Sequence, residues 1–171
     1  MERLLVDASV ARSTFYAHFD DKLDALHVVG RQAINIVVEE SAGWWTLGVE
    51  AHREDLREAL SRMVRAYHQR GPVLAAMAEA ATTDHRARAE MRRLLHPARV
   101  ALTEHAHSLQ AQGALRQDVN VPVAMGWILA MFEHGLYRYI RRTDEPELDE
   151  HIDALTDVVW LSLYASAPNR S

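Results

Sequence analysis

Apolar side chains recur at intervals of three and four along almost the whole chain, and nowhere do apolar and polar residues alternate for long enough to mark a strand. That periodicity admits an all-α fold and excludes sheets. Seven glycines and five prolines in 171 residues leave few breaks between helices, and a hydrophobic content of 49% is enough for a packed core. The pattern predicts short helices over 1–8 and 10–19, then a longer one from Asp20 to about Ser41 whose first turn is acidic. A loop is expected over 42–48. Next comes a helix from Arg53 to Gln69 with Leu56, Leu60, Met63, Val64 and Tyr67 on one face, ended by Gly71-Pro72. An Ala-rich helix over 73–81 follows. Asp84 caps a segment reaching Gln112, which Pro97 is expected to bend or interrupt. Asn120 with Pro122 opens a helix to about Arg142, and Asp144 with Pro146 opens a last one to about Ala165.

Several chemistries find no footing in this sequence. There is no cysteine, hence no disulfide or thiolate metal site. The ten histidines include no pair at ligand spacing: His105 and His107 fall on different helix faces. Glycines are scattered rather than gathered into a phosphate loop, and no serine sits in a nucleophile elbow. No cofactor and no enzymatic role are expected. The longest apolar run, from Val121 to Phe132, is too short to span a bilayer, and no basic-then-apolar leader follows Met1, so a cytoplasmic protein is expected.

The stretch from Ala8 to Leu26, Ala-Ser-Val-Ala-Arg-Ser-Thr-Phe-Tyr-Ala-His-Phe-Asp-Asp-Lys-Leu-Asp-Ala-Leu, combines an apolar ridge of Phe15 and Phe19 with hydrogen-bonding groups on its other faces. Such a short helix suits a major groove: its first residues meet base edges and its flanks meet phosphates. Arg12 is placed for a guanine edge, and Lys22, opening the next helix, for a phosphate. This string resembles the helix-turn-helix signature of TetR-type transcriptional regulators over residues 4–26. The resemblance implies that Arg12, Ser13, Thr14 and Ala17 face bases and that Tyr16, His18 and Lys22 contact phosphates. Val10, Phe15, Phe19 and Leu26 would hold the module together. Ser9 replaces the family's usual turn glycine and Ala11 its frequent capping serine.

In that family a whole helix and most of a second pack beneath the recognition helix, whereas Met1–Ala8 alone precedes the turn here. Residues 1–31 also carry one more acid than base, a poor electrostatic footprint for DNA. The expectation is a partial helix-turn-helix module over 1–30, whose operator binding needs a further N-terminal helix, followed by a ligand-binding and dimerisation domain over 31–171.

Within the second region Trp44, Met63, Tyr67, Met91, Trp127, Met131, Phe132, Tyr137 and Trp160 are candidates for lining a pocket for a small apolar effector. Met and Trp at helical spacing fill an ordinary core equally well. The body is similar to the ethionamide-resistance regulator branch of the family. The similarity rests on Arg70-Gly71-Pro72-Val73 with Asp84, the run Gln110–Ala114, Trp127–Tyr137 with Glu133, and Val158–Tyr164. It implies an apolar channel bordered by Phe132, Tyr137 and Trp160, and a homodimer formed through the last two helices as a four-helix bundle. The function expected is a repressor released from operator DNA by an effector. The alternative is a dimeric small-molecule binding protein without DNA-binding activity.

Overall fold

A computed structural model describes residues 22–164 and is helical throughout them, with no strand among the described residues. Six α-helices follow in order: α1 (Lys22–Ser41), α2 (Arg53–Gln69), α3 (Gly71–Thr83), α4 (His85–Ala111), α5 (Val121–Arg138) and α6 (Leu148–Leu163). Two 3-10 turns, Ile140–Arg142 and Glu145–Glu147, join the last pair. The helices expected over 1–8 and 10–19 lie outside the described residues.

Most boundaries fall where local chemistry puts them. Asp84 accepts from the backbone N–H groups of Arg86 and Ala87 at the start of α4. Those two bonds hold its carboxyl below the usual range. Asn120 caps α5 by accepting from Val123 N–H. Gly113, at φ 78°, closes α4: its N–H donates to the Gln110 carbonyl and that of Ala114 to Leu109, the paired bonds of a left-handed helix stop. Gln110 then ties down the following loop by donating to the carbonyls of Arg116 and Val119.

Three expectations are corrected. Gly71-Pro72 begins α3 rather than ending α2, since proline's fixed φ and missing N–H suit a first turn. Of the bend or interruption expected at Pro97, the interruption is absent, and α4 runs unbroken through it. Pro97 and Arg93 both lie on the exposed side of α4, where water can take the place of the missing N–H donor. The helix opened by Asn120 stops at Arg138 and gives way to a 3-10 turn.

α2 packs along α6 and also against α1, while α1 reaches α3 and α4 as well. Leu56, Leu60 and Val64 of α2 and Leu148, Ile152 and Val159 of α6 are all buried in one continuous core. Outside that seam Arg53 pairs with Asp157 at 2.7 Å, Arg57 with Asp153, and Arg65 with Asp149 at 3.0 Å and Glu145 at 2.7 Å. Rising numbers on α2 meet falling numbers on α6, so the ladder matches one antiparallel register. Each exposed pair contributes little by itself.

Gly30 sets how closely α1 approaches α3. A Cβ there would fall inside the side chain of Met77, which is fully buried and has no room to retreat. Gly30→Ala gains up to about 1 kcal/mol of helix propensity but incurs overpacking of about 1–3 kcal/mol. The expected net effect is destabilisation, measured as a lowered midpoint in urea unfolding; a raised midpoint would show that α1 simply slides.

His105 is half-buried on α4, its Nε2 without a partner, and burial lowers its pKa. Folding therefore opposes protonation there. Stability falls as pH drops below the ordinary imidazole value of about 6.5, and the loss ends once the lowered folded value is passed. Unfolding midpoints at pH 7.5 and 5.5 should differ more for the wild type than for His105→Leu.

Candidate functional site

Five helices close around an apolar cavity of about 170 Å³ in the middle of the bundle. A cavity of that order accepts a benzene-sized guest. Each wall follows from a helical stripe. α1 contributes Ile34, Val37, Val38 and Ser41, and the turn after it Trp44 and Trp45. α2 contributes Met63 and Tyr67, α3 Leu74 and Ala78, and α4 Met91, Leu95, Ala98, Arg99 and Leu102. α5 supplies Leu129, Phe132, Glu133, Leu136 and Tyr137, while α6 takes no part in the lining.

Trp44 is fixed from two sides. Its Nε1 donates to the Tyr164 hydroxyl at 3.3 Å, and its ring lies 5.3 Å from that of Phe132 at a tilt of 53°. Tyr164 in turn stacks on Trp160, centroids 4.8 Å apart. Burial raises the Tyr164 pKa, while the bond from Trp44 acts the other way.

The few polar groups in the lining are mostly engaged. Ser41 Oγ donates to the Val37 carbonyl at 2.6 Å. Arg99 and Glu133 pair across α4 and α5 at 3.0 Å, both close to half exposed, and so mark the side on which the cavity approaches solvent. The Tyr137 hydroxyl donates to Glu79 at 3.1 Å, and the Arg141 guanidinium lies 5.0 Å over the Tyr137 ring. Tyr67 is different. It is 8% exposed, and its hydroxyl has no hydrogen-bond partner among the described residues. Burial pushes its pKa up to about 12, against the opposing charge of Arg141.

Of the nine residues singled out as lining candidates, Trp44, Met63, Tyr67, Met91, Phe132 and Tyr137 come together around the cavity. Three lie elsewhere. Trp127 is 76% exposed on the outer face of α5, with Val123 one turn before it. Met131 packs, half-buried, against the core outside the lining, and Trp160 reaches the cavity only through Tyr164 and Trp44. Sequence reasoning missed the aliphatic walls, Ile34, Val37, Leu74 and Leu102 among them, because nothing in an aliphatic stripe separates cavity from core. It also missed the Arg99–Glu133 pair, for which i, i+3 or i, i+4 spacing within one helix gives no signal.

Arg12, Ser13, Thr14, Tyr16, Ala17 and His18 lie outside the described residues. So does the side chain of Lys22, whose backbone begins α1. Among the described residues no group of three His, Asp or Glu side chains is placed to hold a metal, and no helix is long and apolar enough to cross a membrane.

No family model and no curated protein sequence matches this chain. Solved structures do. A TetR-family transcriptional regulator, PfmR from Thermus thermophilus, superposes with a TM-score of 0.74 at 19% identity, covering 91% of this chain and 84% of its own. A regulator assigned to the TetR family from Mesorhizobium loti gives 0.67 at 16% identity, covering 96% and 86%. The chain therefore has the all-helical fold of TetR-family transcriptional regulators, and at these identities the likeness is one of fold.

Ala78→Leu fills part of the cavity from α3. It should raise stability by about 0.5–2 kcal/mol, as cavity-filling changes do, visible as a higher midpoint in urea. A lower midpoint would mean that the walls have no room to spare.

Proposed function

We propose that the chain is a transcriptional regulator, a repressor that binds operator DNA as a homodimer and is released when a small apolar effector enters the cavity. One observation carries the reading: α1 is at once a wall of the cavity, through Ile34, Val37, Val38 and Ser41, and the direct continuation of the Arg12–Lys22 string. An effector that fits only one setting of α1 lowers DNA affinity by its differential affinity for the two settings. In this reading α1 is the lever between residues 1–30 and the body at 31–171. Arg12, Ser13, Thr14 and Ala17 read bases, and Tyr16, His18 and Lys22 hold phosphates.

The homodimer would form through α5 and α6. Val123 and Trp127 on α5, and Val158 and Leu161 on α6, are large apolar side chains left exposed at i, i+4 and i, i+3 spacing. A cytoplasmic protein without cofactor or catalysis is part of the same proposal, as is the affinity of the body to the ethionamide-resistance branch.

The excess of acid over base in residues 1–31 favours a second reading, a dimeric small-molecule binding protein that does not bind DNA. A salt-titrated gel shift against DNA from the chain's own promoter region separates the two. It should use the full chain and the chain extended through any upstream reading frame. Selective, salt-dependent binding is expected, with Arg12→Ala and Tyr16→Phe weakening it by tenfold or more while sedimentation still reports a dimer. Operator affinity unchanged by both substitutions would overturn the regulator reading.

A further inference from the structure

The lining of the cavity also specifies what kind of molecule suits it, an inference that rests on the effector-binding reading above. Around the cavity almost every polar group is already spent: Ser41 on its own helix, Arg99 and Glu133 on each other, Tyr137 on Glu79. Two donors are not: the indole N–H of Trp45, on a half-buried side chain, and the hydroxyl of Tyr67, a residue more than nine-tenths buried that reaches the cavity from α2; neither has a partner among the described residues. The hydroxyl is not among the fully enclosed polar atoms, and a ligand that reaches it supplies the acceptor its neighbours do not.

We propose that Tyr67 is the specificity-determining residue of the cavity and that its ligand is a neutral, compact, apolar molecule carrying one hydrogen-bond acceptor, of the ketone, ester or amide class, held by donation from the Tyr67 hydroxyl. A hydrocarbon leaves the donor unmatched. A carboxylate is matched too poorly, because an anion moved into apolar walls with only neutral unspent donors gives up most of its hydration. Burial also keeps the phenol in its protonated form, so it serves as a donor across the physiological range. Arg141 is not part of the lining: its guanidinium lies 3.7 Å from Glu79 and over the Tyr137 ring, and its Nε is buried without a partner.

Three probes with the same number of heavy atoms test this: acetophenone, isopropylbenzene and benzoate. Binding is followed by the fluorescence of Trp44 and Trp45, which line the cavity, for the wild type and Tyr67→Phe. The substitution removes only an unpartnered hydroxyl, so the variant should fold with an unchanged or raised midpoint. Acetophenone is expected to bind the variant about three- to tenfold more weakly, the worth of one neutral hydrogen bond, while isopropylbenzene binds it as well as or better than the wild type. An equal change for both probes, or benzoate binding most tightly to the wild type, would overturn the proposal and leave the effector reading standing. Failure of all three to bind would overturn both.

Discussion

The fold depends on one broad buried face of α2 that serves two neighbours. Its seven buried residues spread across that face more widely than a single narrow seam requires. Leu56, Leu60 and Val64 share a core with α6, while Met63 and Tyr67 face the cavity. α2 is thus a partition between the seam with α6 and the chamber that α1, α3, α4 and α5 complete. Its half-buried arginines, Arg53, Arg57 and Arg65, meet the acids of α6 in antiparallel order, Arg57 reaching both Asp149 and Asp153, so the polar pairs reinforce the orientation of the apolar seam.

The same partition explains how a chamber without any α6 residue is still tied to α6. Trp44 forms part of the wall, touches Phe132 by its ring and donates to Tyr164 just beyond the end of α6. Tyr164 stacks almost parallel to Trp160, at 3° between planes. Aromatic rings joined by contact and by one hydrogen bond move together more readily than aliphatic neighbours slide, since tilting one ring disturbs both its partner and the bond. In the proposed regulator this chain of rings is the connection between the effector and the helices of the dimer.

Much of the helical layout was legible in the sequence because boundaries had a local cause: Asp84 and Asn120 as caps, and the 3.6-residue stripe of α2. Pro97 misled because its usual effect depends on whether solvent can reach the freed carbonyl, which only the packed helix decides. The site was half legible. Six of the nine aromatic and Met candidates surround one cavity, since bulky side chains must go inward somewhere. Trp127 is turned outward, and a period-3.6 pattern cannot tell a face buried within one chain from a face suited to burial between two. The unspent hydroxyl of Tyr67 had no signature at all: it is defined by what its neighbours do not donate or accept, and those neighbours are dozens of residues away.

Entry of a small molecule matters to residues outside the chamber only if a wall of the chamber moves. A cavity of about 170 Å³ is small against the several hundred Å³ usual for a drug-sized ligand. A larger guest must therefore displace one side of it. α4 is held at both ends, by Asp84 at its start and by Gln110 and Gly113 at its finish, and α2 is held along its length by α6. α1 packs against α2, α3 and α4 through Ala33, Ile34, Val37 and Val38, approaches α3 closely where Gly30 meets Met77, and pairs with α4 through Arg31 and Glu90 at 3.0 Å. Glu90 is shared with Arg93, so that pair belongs to α4 as much as to α1. In the proposed mechanism the wall that yields is α1, the one continuous in sequence with the residues that would meet DNA. A helix transmits a tilt along its whole length: pivoting where Gly30 meets Met77, an outward shift near Val37 and Val38 becomes an opposite displacement near Lys22, the geometry that a ligand-operated lever requires.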